Sequence, residues 1–514
     1  MTASPFQPET VLSPRIFEII KYAFGCGCSI LLKFLVTAFL SAFRLPLWLS
    51  YLAAQGMILL FSYFYHSKVT FSYRNDSFSA AVRKFFAFTG SVLIFKIADY
   101  VLVVLGMKWL TNHLEKNMEL DFWLRQGILF LFIVFTSLLI FSVRYFWYRF
   151  LFRKPAKEPM DKKTLHSYIG EVRAVYSGHA ADPEIAGNAA SGGVVTALCE
   201  HLLRSGTIDG ALVYRLCTGA EKPFAAPVIA TTPEELRAAQ GSIYFSFPPI
   251  GRETMELIHS FPGRLAVVGL PCTLKALRKM TEQSETLKQK LVLFLGLFCG
   301  HTSRQELLDQ VLAMKQTDWK QVVSFRFRKG LWRGHAEACM KDGSVRTWPT
   351  SFYNLYQNLF ILSHAPCMNC TDHFAETADI SCGDIWRLKH RRDTVKRSIF
   401  AVRTPEAENA VNSALQQKEL ICSRETERDL FLANSRSAIF HKAIRARAAA
   451  GRLFGLRIAV PSGAPRARWN EFAAACIALG CYRLSISRNG KLLFRVPRFL
   501  LKGMLYLMKL LTSF

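Results

Sequence analysis

Residues 45–65 contain no Lys, Arg, Asp or Glu. A run this long and apolar is hard to bury in a small water-soluble core, and it matches the ~20 residues needed to cross a bilayer as a helix. Three similar runs lie close by. Residues 127–143 are also uncharged, residues 22–43 carry only Lys33, and residues 85–107 carry only Lys96 and Asp99. Four such runs in quick succession predict four transmembrane helices within residues 1–155. The first is too long for a secretory signal and has no small-residue cleavage motif after it. Cations cluster in the loop after the second run (Lys68, Arg74, Arg83, Lys84) and after the fourth (Arg144, Arg149, Arg153, Lys154, Lys157). The positive-inside bias places those segments, and with them both termini, on the cytoplasmic side of the inner membrane.

The four runs read as one hairpin written twice. Lys21 and Lys33 flank Gly27 at the spacing at which Lys84 and Lys96 flank Gly90, and Phe61-Ser62 is echoed by Phe141-Ser142. Repeats of this kind are common in transport folds. Charge at membrane depth is costly, so Lys33, Lys96 and Asp99 are expected to face the bundle interior, with Lys96 and Asp99 close enough on one helix face to pair. The span layout and residues 61–71 with their repeat resemble the GtrA-like family. That resemblance implies a four-span domain associated with polyprenyl-phosphate-linked sugars and cell-surface polysaccharide.

Residues 156–165 read as a linker. Beyond them apolar runs alternate with helical patterns, the mark of an α/β domain with a mixed sheet over residues 166–450. Residues 264–268 predict a strand running into Gly269-Leu270-Pro271-Cys272, and residues 291–298 predict another running into Cys299-Gly300. Both cysteines therefore sit at carboxyl ends of strands, the edge at which α/β sheets assemble their sites. A helix over residues 273–280 would favour a thiolate at Cys272. Cys367-Met368-Asn369-Cys370 lets one loop present two more sulfurs to one centre. Four thiolates from three segments fit a [4Fe–4S] cluster or a structural zinc, and the 367–370 pair alone also fits a redox disulfide. The chain has 13 Cys in all. Their uneven spacing over so long a chain argues against an extracellular disulfide framework.

The ordered series Ser191-Gly192-Gly193-Val194-Val195-Thr196, Gly269-Leu270-Pro271-Cys272, Phe298-Cys299-Gly300, Phe325-Arg326-Phe327-Arg328, Cys367-x-x-Cys370 and Asp379-Ile380-Ser381-Cys382-Gly383-Asp384 resembles the beta-subunit family of coenzyme F420 hydrogenases and dehydrogenases. The resemblance implies an FAD-binding iron–sulfur flavoprotein. It makes Cys272, Cys299, Cys367 and Cys370 the ligands of one [4Fe–4S] cluster and lays Ser191, Gly192, Gly193 and Thr196 against the flavin. Small residues before a helix over 194–204 also suit the approach of a pyrophosphate to backbone N–H groups. Asp379 and Asp384 are candidates to hydrogen-bond a ribose or the flavin edge. His301, beside the Phe-Cys-Gly turn, is the acid/base candidate. Ile243 stands where many members carry a basic residue that bears on deazaflavin phosphate binding. No N-terminal run of closely spaced cysteines occurs, so one cluster is expected.

The formal charge is +27, and residues 436–514 hold 15 Lys and Arg against the single acid Glu471. No nucleic-acid reader motif accompanies that charge, so nucleic acid is not expected as a partner. Residues 451–514 read instead as a basic amphipathic segment suited to an anionic membrane surface. The expected function is a membrane-anchored FAD and [4Fe–4S] oxidoreductase serving envelope polysaccharide or polyprenyl-linked sugar metabolism. Its electron donor would be a reduced deazaflavin or a ferredoxin. The alternatives are translocation of a polyprenyl-phosphate-linked sugar and a catalytically idle scaffold.

Overall fold

A computed structural model describes residues 14–42, 47–71, 73, 78–117, 122–152, 160–218, 222–245, 250–488 and 490–512. The chain divides into two compact units, Met1–Glu158 and Pro159–Phe514.

The first unit contains helices Pro14–Ala42, Leu47–Phe64, Phe78–Asn117 and Phe122–Leu151. The first packs along the second and the third along the fourth. Three stretches among the described residues are long and apolar enough to cross a membrane: Glu18–Leu40, Ala81–Gly106 and Phe130–Leu151. Leu47–Phe64 has 18 residues, or about 27 Å of helix. Apolar side chains such as Ile30, Phe34, Leu93 and Phe135 point outward. One end of the unit is sealed by buried aromatics. Tyr22 lies against Phe141 and Tyr145, and Phe88 against Tyr148 and Phe152. Tyr145 donates to Glu18 at 2.8 Å, and Glu18 pairs with Arg149 at 3.4 Å. Lys33 and Asp99 are half-buried, whereas Lys96 is exposed. Lys96 therefore corrects the expectation that all three would face inward.

The second unit is built on eleven strands among the described residues: β1 (Ala174–Ala180), β2 (Gly210–Cys217), β3 (Phe224–Ala230), β4 (Leu265–Gly269), β5 (Leu291–Leu297), β6 (Val322–Lys329), β7 (His335–Met340), β8 (Val345–Pro349), β9 (Ile380–Asp384), β10 (Ser398–Val402) and β11 (Leu420–Glu425). Eight form one mixed sheet in the order β11-β1-β10-β9-β5-β4-β2-β3, and β6-β7-β8 form a second. β2, β4, β5 and β9 run parallel, while β9, β10, β1 and β11 alternate in direction. The near-continuous apolar runs of β4 and β5 fit strands covered on both faces. Ala266, Val267, Phe294 and Leu295 are accordingly inaccessible to solvent.

Residues 451–514 do not form a separate segment. Helices Trp469–Ser485 and Arg498–Leu511 share one core with the small sheet, where Ala474, Ala478, Leu501 and Leu505 join Trp319, Phe325 and Tyr356. Cations mark one side of the last helix. Because the remainder is apolar nearly all round, part of it could dock on protein.

Candidate functional site

The parallel half of the large sheet positions the cysteines. β4 ends at Gly269, and Cys272 follows in the first turn of helix Pro271–Thr281, which Pro271 opens. β5 ends at Leu297, two residues before Cys299. Cys367 lies in the 3-10 turn Ala365–Asn369, and Cys370 closes it by donating its N–H to the Cys367 carbonyl at 3.2 Å. Thus three segments deliver four thiols to one edge. The thiols act on one another. Burial pushes Cys299 well above the usual thiol range, and Cys367, Cys370 and Cys272 add to the rise. Burial lifts Cys370 to about 11, with Asp372, Cys367 and Cys272 contributing. Cys272 is exposed at its helix start, yet the surrounding protein and then Cys367 raise it too, against the pull of the backbone N–H groups there. Among the described residues, no three Cys, His, Asp or Glu side chains converge on one point as a metal's ligands do. The thiols share a neighbourhood without being drawn together.

Two buried histidines and an arginine grip this neighbourhood. His373 Nδ1 lies 3.0 Å from the Cys299 carbonyl, and the Cys299 N–H donates to the His373 carbonyl at 3.0 Å. His441 Nε2 lies 2.6 Å from the Gly300 carbonyl, and the two rings are 5.6 Å apart. Burial lowers His373 to about 4 and His441 well below the ordinary value. Both are neutral at pH 7, and a nitrogen facing a carbonyl must then carry the proton and donate. Arg447 is 1 % exposed. It donates at 2.7 Å to each of the carbonyls of Met368, Cys370 and His441. No carboxylate among the described residues pairs with it. Burial pulls it down to about 10, and Cys370 and Cys367 act in the opposite sense. A buried cation with no counter-ion is costly. A thiolate-ligated centre of net negative charge meets that need, and the four sulfur donors suit either iron–sulfide or zinc.

His301 is also held in place: its Nε2 lies 2.8 Å from the Gln357 carbonyl, and its ring stacks 4.0 Å from Phe360. Burial lowers it to about 4, so it is neutral at pH 7.

The second constellation surrounds the 191–193 turn. Ser191 Oγ donates to the Arg397 carbonyl at 2.9 Å, and the Gly192 N–H donates to Ser398 Oγ at 2.9 Å. A Cβ on Gly192 would lie 2.4 Å from the Gly178 carbonyl, so glycine is required by close packing of the turn on β1. Gly193, at φ +78°, caps helix Val194–Arg204, whose first turn holds the half-buried Thr196. The N–H groups of that turn have no acceptor within the helix. Arg326 donates to the Asn188 carbonyl at 2.9 Å, and buried Lys396 donates to that of Ala189. An open cavity of about 420 Å³ adjoins the turn, lined by His179, Lys389, His390, Asp393, Thr394, Val395 and Arg397. Burial and the Arg328 charge lower Lys396 to about 8. Cation-rich walls and a helix N-terminus together suit a phosphate-bearing ligand.

The two aspartates lie at opposite ends of β9. Asp384, at the cysteine edge, accepts from Arg328 at 2.6 Å. Arg328 also stacks 4.7 Å from the Trp386 ring, which meets Trp332 edge-on. Asp379 is buried, and both its oxygens are committed, one to Arg278 at 2.6 Å and one to the Phe294 N–H at 2.7 Å. It clamps a helix to the sheet. Sequence reading singled out neither His441, Arg447 nor Lys396. The one available signal was the appearance of Arg445 and Arg447 within the alanine-rich stretch 443–450.

Residues 175–250 match the family model for the N-terminal part of the coenzyme F420 hydrogenase/dehydrogenase beta subunit, and residues 263–428 match that for its C-terminal part. Both parts of that beta subunit are thus matched, in order along the chain. Among curated relatives, one of the subunits of the F(420)H(2) dehydrogenase of Methanosarcina mazei is 29% identical over 198 residues, 38% of this chain and 51% of the relative. The beta subunit of the F420-dependent formate dehydrogenase 1 of Methanococcus maripaludis is 27% identical over 211 residues, 41% of this chain and 51% of the relative. The chain thus spans about half the length of these two relatives. A chain of the F420-reducing [NiFe] hydrogenase complex from Methanosarcina barkeri aligns at 22% identity and TM-score 0.44, covering 57% of this chain and 98% of that one. By their names these relatives are parts of oxidoreductases, and both family matches fall in the second unit.

Proposed function

We propose that the second unit is an iron–sulfur flavoprotein oxidoreductase. Cys272, Cys299, Cys367 and Cys370 would hold one [4Fe–4S] cluster, and the 191–193 turn with its adjoining cavity would hold FAD. Bound together, these groups would couple two-electron hydride chemistry to single-electron transfer. The observation that carries the reading is Arg447, a buried cation without a carboxylate beside the 367–370 loop. The chain's own groups divide the remaining work. The His373 and His441 ring N–H groups fix the carbonyls of the 299–300 loop, which aims the Cys299 sulfur. Arg326 and Lys396 fix the carbonyls leading into the 191–193 turn and leave their charge near the first turn of helix Val194–Arg204, where phosphates would lie. Arg328 holds Asp384 and Trp386 as one wall of that site. The relatives' names favour a reduced deazaflavin as electron donor over a ferredoxin.

In the same reading, residues 1–155 are a GtrA-like domain that anchors the enzyme at the cytoplasmic membrane, in the service of polyprenyl-linked sugar or envelope polysaccharide chemistry. Support comes from the three long apolar helices alone. Anaerobically purified full chain should be brown and contain iron, acid-labile sulfide and flavin. Cys367→Ser should abolish the iron while leaving the protein in the membrane fraction. A colourless, zinc-loaded wild-type protein refutes the redox reading. Normal product formation by a chain lacking residues 1–155, with the remainder retargeted to the membrane, refutes a role for that domain beyond anchoring.

A further inference from the structure

The last helix buries one face and leaves the other bare. Leu501, Leu505 and Met508 lie inward, with Leu501 only 1 % exposed. The helix is fixed in that orientation: Asn470 donates to the Leu511 carbonyl at 2.7 Å, and Arg498 stacks 4.1 Å from the Phe352 ring. At 100° per residue the opposite face carries Phe499, Tyr506 and Leu507, with Gly503 between them. Phe499 is 71 % and Tyr506 64 % exposed. Leu484 and Leu492, just upstream, are exposed as well. A soluble surface does not gather bare aromatics and leucines on one rigid helix without a partner.

The charge around this face points to the partner. Residues 472–514 contain Arg483, Arg488, Lys491, Arg495, Arg498, Lys502 and Lys509 and no acid at all. All but Lys509 are exposed. Apolar side chains set among cations, without one carboxylate, match an anionic lipid surface: the rings enter the acyl boundary while the cations remain with the headgroups. A protein partner of the ordinary kind would be met by a rim of both signs.

We propose that the outward face of helix Arg498–Leu511 is a docking surface for an anionic bilayer. The opposite face is closed to lipid, because it packs on helices Trp469–Ser485 and Ser351–Gln357. The docking is independent of what the cysteines bind.

The test uses the full chain in nanodiscs that carry a lipid-tail quencher, made either of zwitterionic lipid or with a substantial fraction of phosphatidylglycerol. Phe499→Trp adds one emitter to the nine tryptophans present, and its signal is the difference from the unmodified chain. That added emission should be largely lost in the anionic discs, preserved in the zwitterionic ones, and recovered at high salt. The triple change Lys491→Gln, Arg495→Gln and Lys502→Gln, which leaves the Arg498 stack intact, should restore it in anionic discs. Glu285→Trp, at an exposed position of the same unit on helix Glu285–Lys290, whose core shares no residue with that of the last helix, should stay bright in both and shows that the quenching is local. Emission from Phe499→Trp that is unquenched in anionic discs, or equally quenched in both, overturns the proposal. A protein covering this face would produce the first of those outcomes.

Discussion

Replacing Arg447 by Met should change stability by an amount that depends on the state of the cysteines. In the iron-free protein, the guanidinium is a buried cation with three carbonyl acceptors and no carboxylate. Three charge-assisted bonds at ~1.5–3 kcal/mol each are set against a desolvation penalty of several kcal/mol per ion. Those terms nearly cancel, so Arg447→Met should be close to neutral there. In the iron-loaded protein, the four thiols become thiolates around an anionic centre, and the cation becomes half of a buried pair. Removing one partner of such a pair costs roughly 3–5 kcal/mol. At roughly 2 °C per kcal/mol for a unit of this size, the apparent Tm of the loaded protein should fall by about 6–10 °C. The assay is thermal unfolding of wild type and variant in detergent, before and after anaerobic chelation, with iron content measured on each sample. An equal shift in loaded and stripped protein would show that Arg447 is a plain packing residue and would remove the counter-ion argument.

Three further outcomes follow from the same geometry. His301 and His373 titrate near 4 in the folded protein against ~6.5 when unfolded. Above pH 6.5 they contribute nothing; as pH falls from 6.5 towards 4 the unfolded chain takes up the protons, so urea midpoints should drop steadily, and a flat profile would contradict their burial. Lys396 sits near 8, so a phosphate-bearing ligand in the adjoining cavity should raise it; FAD binding at pH 8 should then take up at most about half a proton, seen by calorimetry in two buffers of different ionisation enthalpy and absent at pH 6.5. Gly192→Ala forces a Cβ to 2.4 Å from the Gly178 carbonyl and should cost ~1–3 kcal/mol as well as flavin; full stability and flavin content would mean that the turn can relax.

Much of the site edge was legible because the signals are local. Apolar runs that end in Gly-Leu-Pro-Cys and Phe-Cys-Gly place sulfur at strand ends, and β4 and β5 finish within a residue of the expected positions. The helix expected over residues 194–204 is present as Val194–Arg204. What the sequence hid depends on distant partners. Arg447 reaches carbonyls 77 and 79 positions away, and His441 reaches one 141 away. Asp379 and Asp384 look equivalent in sequence, but a five-residue strand separates them into opposite edges. For the last helix, periodicity identified an amphipathic element but could not say which apolar flank would meet protein.

β5 and β9 are hydrogen-bonded neighbours, yet residues 298–379 intervene between them, including the small sheet and the 367–370 loop. The two strands are parallel, so the chain leaves the large sheet at the cysteine edge and re-enters it at the opposite one, and the Phe298 N–H, donating to the Cys382 carbonyl at 2.8 Å, extends the ladder one residue past β5. A crossover between neighbouring strands can lengthen or shorten at the surface while the ladder between them holds their register. The loop that presents two of the four thiols can therefore vary in length and sequence while the frame beneath it stays the same.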